Sequence, residues 1–116
     1  MQPLGIHHVA INVRDVVEAV AFYEESLGFV VRDDRPQFGF GGAWLDAGPQ
    51  QLHLIKAEPP GNLGQHFAIR VAELDETVAE LRARGHRVSD PSPVGRSRQS
   101  FVSDPSGNVI ELHEPG

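Results

Sequence analysis

The sequence contains no cysteine, which excludes disulfide bonds, thiolate metal ligands and a cysteine nucleophile. It has no apolar run near the roughly twenty residues that a membrane-spanning helix needs, and no basic segment followed by an apolar one at its start, as a signal peptide has. Basic residues are few, since 10 Lys and Arg stand against 16 Asp and Glu. The net charge of −6 argues against nucleic acid and anionic membranes as main partners. These absences predict a soluble, cytoplasmic protein, and the length of 116 residues predicts one domain over residues 1–116.

A repeat is the strongest pattern that the sequence does contain. The segment His-Val-Ala-Ile-Asn-Val at 8–13 recurs 58 residues later as His-Phe-Ala-Ile-Arg-Val at 66–71. Seven of the fourteen residue pairs that begin at these two histidines are identical. At the same offset, Leu-His-Leu at 52–54 lies over Ile-Glu-Leu at 110–112. The chain is therefore interpreted as two copies of one supersecondary unit.

Hydrophobic periodicity predicts the order β-α-β-β-β in the first copy. Residues 6–13 alternate as a half-buried strand does. Asp15 is the predicted N-cap of a helix, with Glu18 three residues later, and Gly28 suits the position after the helix. The predicted elements are a strand over 6–13, a helix over 16–27, and strands over 29–33, 44–46 and 51–56.

The same order is predicted for the second copy, which follows a linker over about 58–64 that is rich in Pro and Gly. Its predicted elements are a strand over 66–71, a helix over 74–84, a short strand at Val88, a loop over 90–95, a strand at 101–102, a turn over 104–108 and a strand over 109–113. The two modules are therefore expected over about 5–57 and 64–114.

Four residues at matched positions of the two copies carry chemistry that suits a metal ion. His8 lies over His66 in the repeat, and His53 lies over Glu111. Strand alternation places all four on the sheet face that is turned away from the helices. Three imidazoles and a carboxylate can bind a divalent ion such as Zn, Ni, Fe, Mn or Co, and they leave positions open for water or substrate. The sequence thus predicts a catalytic metal site at these residues.

A plainer interpretation applies to each histidine taken alone, because a strand histidine is more often a hydrogen-bonded, half-buried residue than a metal ligand. This holds most for His53, whose Leu-His-Leu context also suits an edge strand with an exposed imidazole. His113 shares the strand face of Glu111 and could contact that carboxylate, a substrate or only solvent. His7 and His86 have no histidine partner in the repeat and are interpreted as structural or solvent-facing.

Three motifs combine into a recognisable signature: His-x-Ala-Ile-x-Val at 8–13, Phe-Tyr-Glu-Glu-Ser-Leu-Gly-Phe at 22–29, and Asp-Pro-Ser-Gly-Asn-Val-Ile-Glu-Leu at 104–112. Together they resemble the vicinal oxygen chelate superfamily, which includes glyoxalase I, bleomycin-resistance proteins, fosfomycin-resistance transferases and extradiol dioxygenases. The resemblance implies an α+β fold, in which two tandem βαβββ modules form a curved mixed sheet around a metal cavity. It also implies a homodimer, because such modules leave sheet edges that a second chain can cover.

The resemblance also implies a function, since His8, His53, His66 and Glu111 fall on the family's four ligand positions. Members of the family bind a substrate through two adjacent oxygens. Glyoxalase I typically has glutamate at the position of His53, so Glu111 is the remaining candidate for proton transfer. We therefore expect a metal-dependent enzyme of the glyoxalase or dioxygenase type, either a lyase or isomerase or an extradiol-type dioxygenase. The alternative is a non-catalytic protein of the bleomycin-resistance type, which sequesters a drug or another ligand.

The candidates for binding a small-molecule substrate are Asn12, Trp44, Arg70, Arg98 and His113. Asn12 and Arg70 are equivalent in the repeat and share strand faces with the candidate metal ligands. Arg70 could hold an anionic substrate group or only end its strand in solvent. Trp44 could form an aromatic wall with nearby phenylalanines or pack in the core. Arg98 could cover the mouth of the cavity or be an ordinary loop charge.

Overall fold

The structure, a computed structural model, describes all 116 residues, which divide into two units, Met1–Pro60 and Gly61–Gly116. Each unit contains one four-stranded mixed sheet. In both units the elements follow the order β-α-β-β-β, with a π-helical turn after the first helix. The prediction of an α+β protein made of two βαβββ modules is therefore confirmed.

The first unit is built from four strands, one α-helix and the π-helical turn. They are β1 (His8–Val13), α1 (Val16–Ala21), the turn Phe22–Ser26, β2 (Val30–Val31), β3 (Gly42–Ala47) and β4 (Gln50–Lys56). The strand order is β1-β4-β3-β2, in which β1 runs parallel to β4 and the other neighbours are antiparallel. Strand β4 lies inside the sheet, so His53 is not on an edge strand.

The helix of the first unit covers one face of its sheet. It begins after Asp15, whose side chain accepts a hydrogen bond from the backbone N–H of Glu18 at 3.0 Å, as the N-cap prediction requires. The buried residues on the helix-covered side are Val13, Phe22, Tyr23, Leu45, Leu52 and Leu54. Because successive strand residues point to opposite faces, His8, His53 and Trp44 share the second face.

The second unit repeats this arrangement. Its elements are β5 (Phe67–Arg70), α2 (Leu74–Ala83), β6 (Ser92–Val94), β7 (Ser97–Ser103) and β8 (Val109–Glu114). The strand order is β5-β8-β7-β6, with β5 parallel to β8. Helix α2 buries Leu74, Val78 and Leu81, the three residues that face the sheet. As in the first unit, the face turned away from the helix carries the candidate ligands.

Strand β6 corrects one prediction, because the loop expected over 90–95 contains a strand. Residues Ser92–Val94 pair with β7, whereas Val88 makes only an isolated bridge to that strand. Pro93 lacks a backbone N–H, yet it is tolerated because β6 is the edge strand of its sheet. Gly95, with φ of +58°, opens the two-residue hairpin loop that follows. The two prolines and the glycine at 90–95 predict a loop, although three of these residues form a short edge strand.

Ser100 is a residue of β7 whose hydroxyl is buried and has no hydrogen-bond partner. It lies opposite Leu112 in the sheet, among apolar side chains. Because burial removes the hydration of this hydroxyl without replacement, Ser100→Ala is expected to raise the free energy of unfolding by about 1 kcal/mol. Urea denaturation measures the change, and Ser103→Ala, at an exposed position of the same strand, is the control. A destabilised Ser100→Ala protein would contradict the prediction.

Asp104 organises the turn between β7 and β8. Its Oδ1 accepts hydrogen bonds from the backbone N–H groups of Ser106 and Asn108, both at 2.9 Å, and its Oδ2 accepts one from the Asn108 side chain at 2.9 Å. Because Asp104 is buried, Asp104→Ala is expected to lower the free energy of unfolding by about 2–4 kcal/mol. Thermal and urea unfolding test this. The control Asp90→Ala, which removes an exposed ion pair with Arg82, should cost less than about 1 kcal/mol.

Candidate metal and substrate site

Three aromatic rings stack on the second face of the first sheet. His53 on β4 lies between His8 on β1 and Trp44 on β3. Its ring centroid is 3.9 Å from that of His8 and 4.3 Å from that of Trp44, with interplanar angles of 14° and 9°. Trp44 therefore belongs to this face and not to the helix-covered core.

The surroundings of His53 favour a neutral imidazole. Its Nε2 lies 2.8 Å from Oε1 of Gln51. Because an amide oxygen only accepts, Nε2 donates this hydrogen bond and Nδ1 keeps its lone pair. Burial lowers the pKa of His53, and the nearby His8 and His7 lower it further by charge repulsion. A neutral ring with an available nitrogen is the form in which histidine binds metals.

His7 contacts this group, although strand alternation alone would place it on the opposite face from His8. Its Nδ1 lies 2.9 Å from Nδ1 of His8, and its ring centroid is 6.4 Å from that of His53. Strand β1 begins only at His8, so His7 precedes the alternating residues. The sequence predicts His7 to be structural or solvent-facing, whereas in the structure it contacts His8, a candidate ligand. Residue spacing does not predict this contact.

The second unit brings His66 and Glu111 together. Nε2 of His66 lies 3.1 Å from Oε1 of Glu111, and its Nδ1 lies 2.9 Å from the carbonyl oxygen of Gly64. Because a carbonyl oxygen only accepts, Nδ1 carries a proton, and Nε2 is the nitrogen that can exchange its proton for another cation. The Gly64 carbonyl and then the Glu111 carboxylate raise the pKa of His66.

His113 holds the other oxygen of the same carboxylate. Its Nδ1 lies 3.0 Å from Oε2 of Glu111, so two imidazoles flank one carboxylate. The Glu111 side chain is only 13% exposed, which leaves little of it to bulk water. Among the options open for His113, the structure thus shows contact with Glu111. The arrangement orients a carboxylate that can accept and return a proton.

Two further candidates, Asn12 and Arg70, lie on the strand faces of the ligand pairs. The Asn12 side chain donates a hydrogen bond to the carbonyl oxygen of Glu58 at 3.1 Å, which connects β1 to the segment after β4. Arg70 ends β5 and lies opposite His113 in the parallel register. Its side chain is exposed and takes part in no ion pair of the protein. Arg70 therefore keeps a cation available beside the Glu111 group.

Arg98 lies elsewhere than expected, on the helix-covered face of its sheet. It pairs with Glu114 in the register of β7 and β8, whereas Glu111 pairs with Phe101 on the alternate face. Its guanidinium forms ion pairs with Asp75 of α2 at 2.9 Å and with Glu114 at 3.1 Å. These carboxylates hold the pKa of Arg98 above its usual range. The structure thus assigns Arg98 to joining helix and sheet, and not to the group around Glu111.

The donor atoms of the two pairs suit a divalent metal ion. Nε2 of His66 and Oε1 of Glu111 lie close together. If Nε2 carries no proton, its lone pair and the carboxylate repel each other, and a metal cation between them removes this repulsion. In the first unit, His53 offers Nδ1 beside the His8 ring. Within neither unit is a group of three or more His, Asp or Glu side chains arranged to hold a metal ion. His8 and His53 belong to the first unit, and His66 and Glu111 belong to the second.

Known proteins share this architecture. A family model described as Glyoxalase/Bleomycin resistance protein/Dioxygenase superfamily matches residues 5–112. The "Probable lactoylglutathione lyase, chloroplastic" of Arabidopsis thaliana is 32% identical over 124 residues, covering 94% of this chain and 35% of that protein. The structure of TnmS3, an antibiotic binding protein from Streptomyces sp. CB03234, is 30% identical with a TM-score of 0.86, over 100% of this chain and 99% of its own. A glyoxalase family protein from Enterococcus faecalis is 31% identical with a TM-score of 0.79, over 96% and 98% of the two chains.

The chain spans between 35% and 44% of the length of the curated relatives that it matches first. No helix of the structure has the length and apolar character needed to cross a membrane.

Proposed function

Because the chain belongs to the glyoxalase/bleomycin resistance protein/dioxygenase superfamily, we propose that it is a metal-dependent enzyme of the glyoxalase type. Its substrate is a small molecule that chelates the ion through two adjacent oxygens, and its reaction is that of a lyase or isomerase. The relative named as a lactoylglutathione lyase, at 32% identity, supports this class. The proposal rests above all on the contact of His66 with Glu111, which brings an imidazole nitrogen next to a carboxylate oxygen.

The proposed ligands are His8, His53, His66 and Glu111, two from each unit. The ion, when bound, supplies Lewis-acid chemistry that polarises a substrate carbonyl and stabilises developing negative charge. Ligand histidines must be deprotonated at the coordinating nitrogen. Burial already keeps His53 neutral by lowering its pKa. The pKa of His66 is raised, so a proton competes with the ion at this histidine at higher pH than at His53.

Glu111 is the proposed proton-transfer residue. Its Oε1 faces His66, while its Oε2 accepts the hydrogen bond of His113, which fixes the orientation of the carboxylate. The matched position of the first unit is His53, so no second carboxylate stands there and Glu111 carries out both removal and return of the proton. Arg70 would bind an anionic group of the substrate.

Asn12 and Trp44 are proposed to contact the substrate on the first unit. Both lie on the sheet face that carries His8 and His53. Trp44 presents an aromatic ring in the stack with His53, and Asn12 presents an amide whose position is held by Glu58. An apolar wall with a few oriented polar groups is the usual composition of a small-molecule site.

Metal analysis followed by a substrate screen tests the proposal. Protein purified without chelator is expected to carry a divalent ion, or to take one up stoichiometrically after chelation. Protein loaded with Zn, Ni, Fe, Mn or Co is then assayed with hemithioacetals, catechols and epoxide antibiotics, which separates isomerase, dioxygenase and transferase activities. Substoichiometric metal that cannot be restored, together with no effect of Glu111→Ala on any activity found, would overturn the proposal.

A second candidate function, sequestration of a drug or another ligand without catalysis, is favoured by the exposed aromatic residues of the first unit. TnmS3, named as an antibiotic binding protein, is 30% identical to this chain. The ring stack of His8, His53 and Trp44 could hold a ligand with no metal present. In that case, the Glu111→Ala protein would bind the ligand in metal-free buffer as tightly as the parent, and no ligand would be converted.

We also propose that the chain forms a homodimer. Each sheet has two open edges, at β1 and β2 in the first unit and at β5 and β6 in the second, which favour pairing with another chain. Light scattering at micromolar concentration is expected to give twice the chain mass of 12.7 kDa. The mass of a single chain would contradict this. The cytoplasmic location and the single domain over residues 1–116 stay predictions.

A further inference from the structure

We infer that Arg35, Phe38 and Phe40, next to Trp44, form a binding subsite for a planar aromatic ring that carries a negative charge. This cluster is called the aromatic-cation subsite below. Phe38 is 46% exposed and Phe40 is 51% exposed, and their rings are stacked, with centroids 5.3 Å apart and planes at 18°. The Phe38 ring lies 6.1 Å from Trp44. Clustered exposed aromatic rings are a feature of ligand-binding grooves and other interaction surfaces.

The cation of the subsite is Arg35, which no carboxylate of the protein neutralises. Its guanidinium lies 5.0 Å from the Phe38 ring centroid and 5.5 Å from that of Phe40, and its Nη2 donates a hydrogen bond to the Phe40 carbonyl oxygen at 3.0 Å. Arg35 takes part in none of the ion pairs. A half-buried guanidinium with donors to spare recognises a carboxylate or another planar anion.

Phe38 connects Arg35 to the ring stack of the first sheet. The Arg35 guanidinium lies 5.0 Å from the Phe38 ring centroid, and that ring lies 6.1 Å from the Trp44 ring. A Cβ atom at Gly42, two residues before Trp44 on β3, would meet the backbone carbonyl oxygen of Leu54 and, at 2.9 Å, Nη2 of Arg35, so Arg35 also approaches the backbone of β3. The cation therefore stands beside the ring stack that ends at the candidate ligands of the first unit.

The guanidinium of Arg35 has no carboxylate partner within the protein. The neighbouring carboxylates of Asp34 and Asp46 are both paired with Arg32, at 2.7 Å and 2.8 Å. Arg35 can therefore form an ion pair with the carboxylate of a ligand. An aromatic carboxylate satisfies the exposed rings and the cation together, which an aliphatic anion or a neutral arene does not.

As a statement about substrate class, the inference rests on the proposed function, but binding to the subsite can be measured in metal-free protein. The probe is 2-naphthoate, compared with its uncharged methyl ester and with cyclohexanecarboxylate, by isothermal titration calorimetry after chelator treatment. Trp44 is the only tryptophan, so its fluorescence reports occupancy beside it. We expect saturable binding of 2-naphthoate with a change in Trp44 emission, and binding of the ester and of cyclohexanecarboxylate weaker by about tenfold or more.

Variants test whether binding of 2-naphthoate requires the charge of Arg35 or only apolar contact. Arg35→Met is expected to weaken 2-naphthoate binding by roughly tenfold or more, since a hydrogen bond to a charged group is lost, while Arg35→Lys restores part of the affinity. Arg87→Met, at an exposed arginine of the second unit, is the matched control and should bind as the parent does. Circular dichroism shows that each variant is folded.

Two outcomes overturn the inference: no binding of 2-naphthoate by folded metal-free protein, or equal binding by the Arg35→Met protein. Neither outcome depends on metal uptake or turnover. Failure of the metal experiments with 2-naphthoate still bound would remove the enzyme proposal and leave the subsite in place. Metal uptake and turnover without binding of 2-naphthoate would remove the subsite and leave the enzyme proposal.

Discussion

Glu111→Gln is expected to lower turnover by about 10²–10⁴-fold, the usual contribution of a positioned general base. The amide keeps an oxygen that can face the ion, but it cannot accept a proton at neutral pH. Because His53 occupies the matched position of the first unit, no second carboxylate can substitute for it. The loss should therefore appear in kcat and persist at saturating metal.

The measurement pairs steady-state kinetics, on the substrate found in the screen, with metal content determined on the same samples. This pairing separates loss of the base from loss of the ion. Glu80→Gln, an exposed glutamate of α2, is the matched control and should retain parental turnover. A Glu111→Gln protein with full metal content and parental kcat would exclude Glu111 as the proton-transfer residue.

The 58-residue repeat made both the fold and the pairing of His66 with Glu111 predictable. Parallel pairing of the first and last strand of a module is what places Ala68 beside Glu111 and His66 within reach of it. The same register relates Ala10 to His53 in the first unit. Residues that match across a repeat occupy equivalent places when the backbone repeats. The 58-residue offset therefore predicts which side chains form a pair in each unit.

Other features depend on local geometry that no repeat encodes. The face of Arg98 was not foreseen, because the strand at 101–102 was predicted too short to fix the alternation of β7. The contact of His7 depends on where β1 begins. The contacts of Arg35 with Phe38 and Phe40 lie within a loop, where hydrophobic periodicity predicts nothing.

The two units share a backbone plan but differ in the surroundings of their matched residues. In the first unit the candidate ligands lie in a stack of rings, and burial keeps His53 neutral by lowering its pKa. In the second unit they lie in a chain of hydrogen bonds through Glu111, and the pKa of His66 is raised. This difference supports the roles proposed for the two units, which are substrate contact in the first and proton transfer in the second.

His66→Ala is expected to weaken divalent metal binding by more than about 100-fold. Removing a residue that only supports a metal ligand weakens binding by about 10–100-fold, and His66 is proposed as a ligand itself. The effect should also change the pH dependence of binding. The contacts with Gly64 and Glu111 stabilise protonated His66 and raise its pKa, so a proton competes with the ion at a higher pH than it does for a free imidazole. Metal affinity of the parent protein should therefore fall as the pH drops through that raised pKa.

Titration of metal-free protein with Zn²⁺ or Co²⁺ at several pH values measures both effects. His66→Ala removes the competing proton as well as the ligand, so its weaker affinity should vary less with pH near neutrality than that of the parent. His53 does not compensate, because its lowered pKa means that it competes for protons only at lower pH. His86→Ala, a histidine of the same unit, is the control and should keep the parental affinity and pH profile. If His66→Ala bound metal as the parent does at every pH, the contact with Glu111 would be a structural hydrogen bond, and the metal site proposed around it would have to be abandoned.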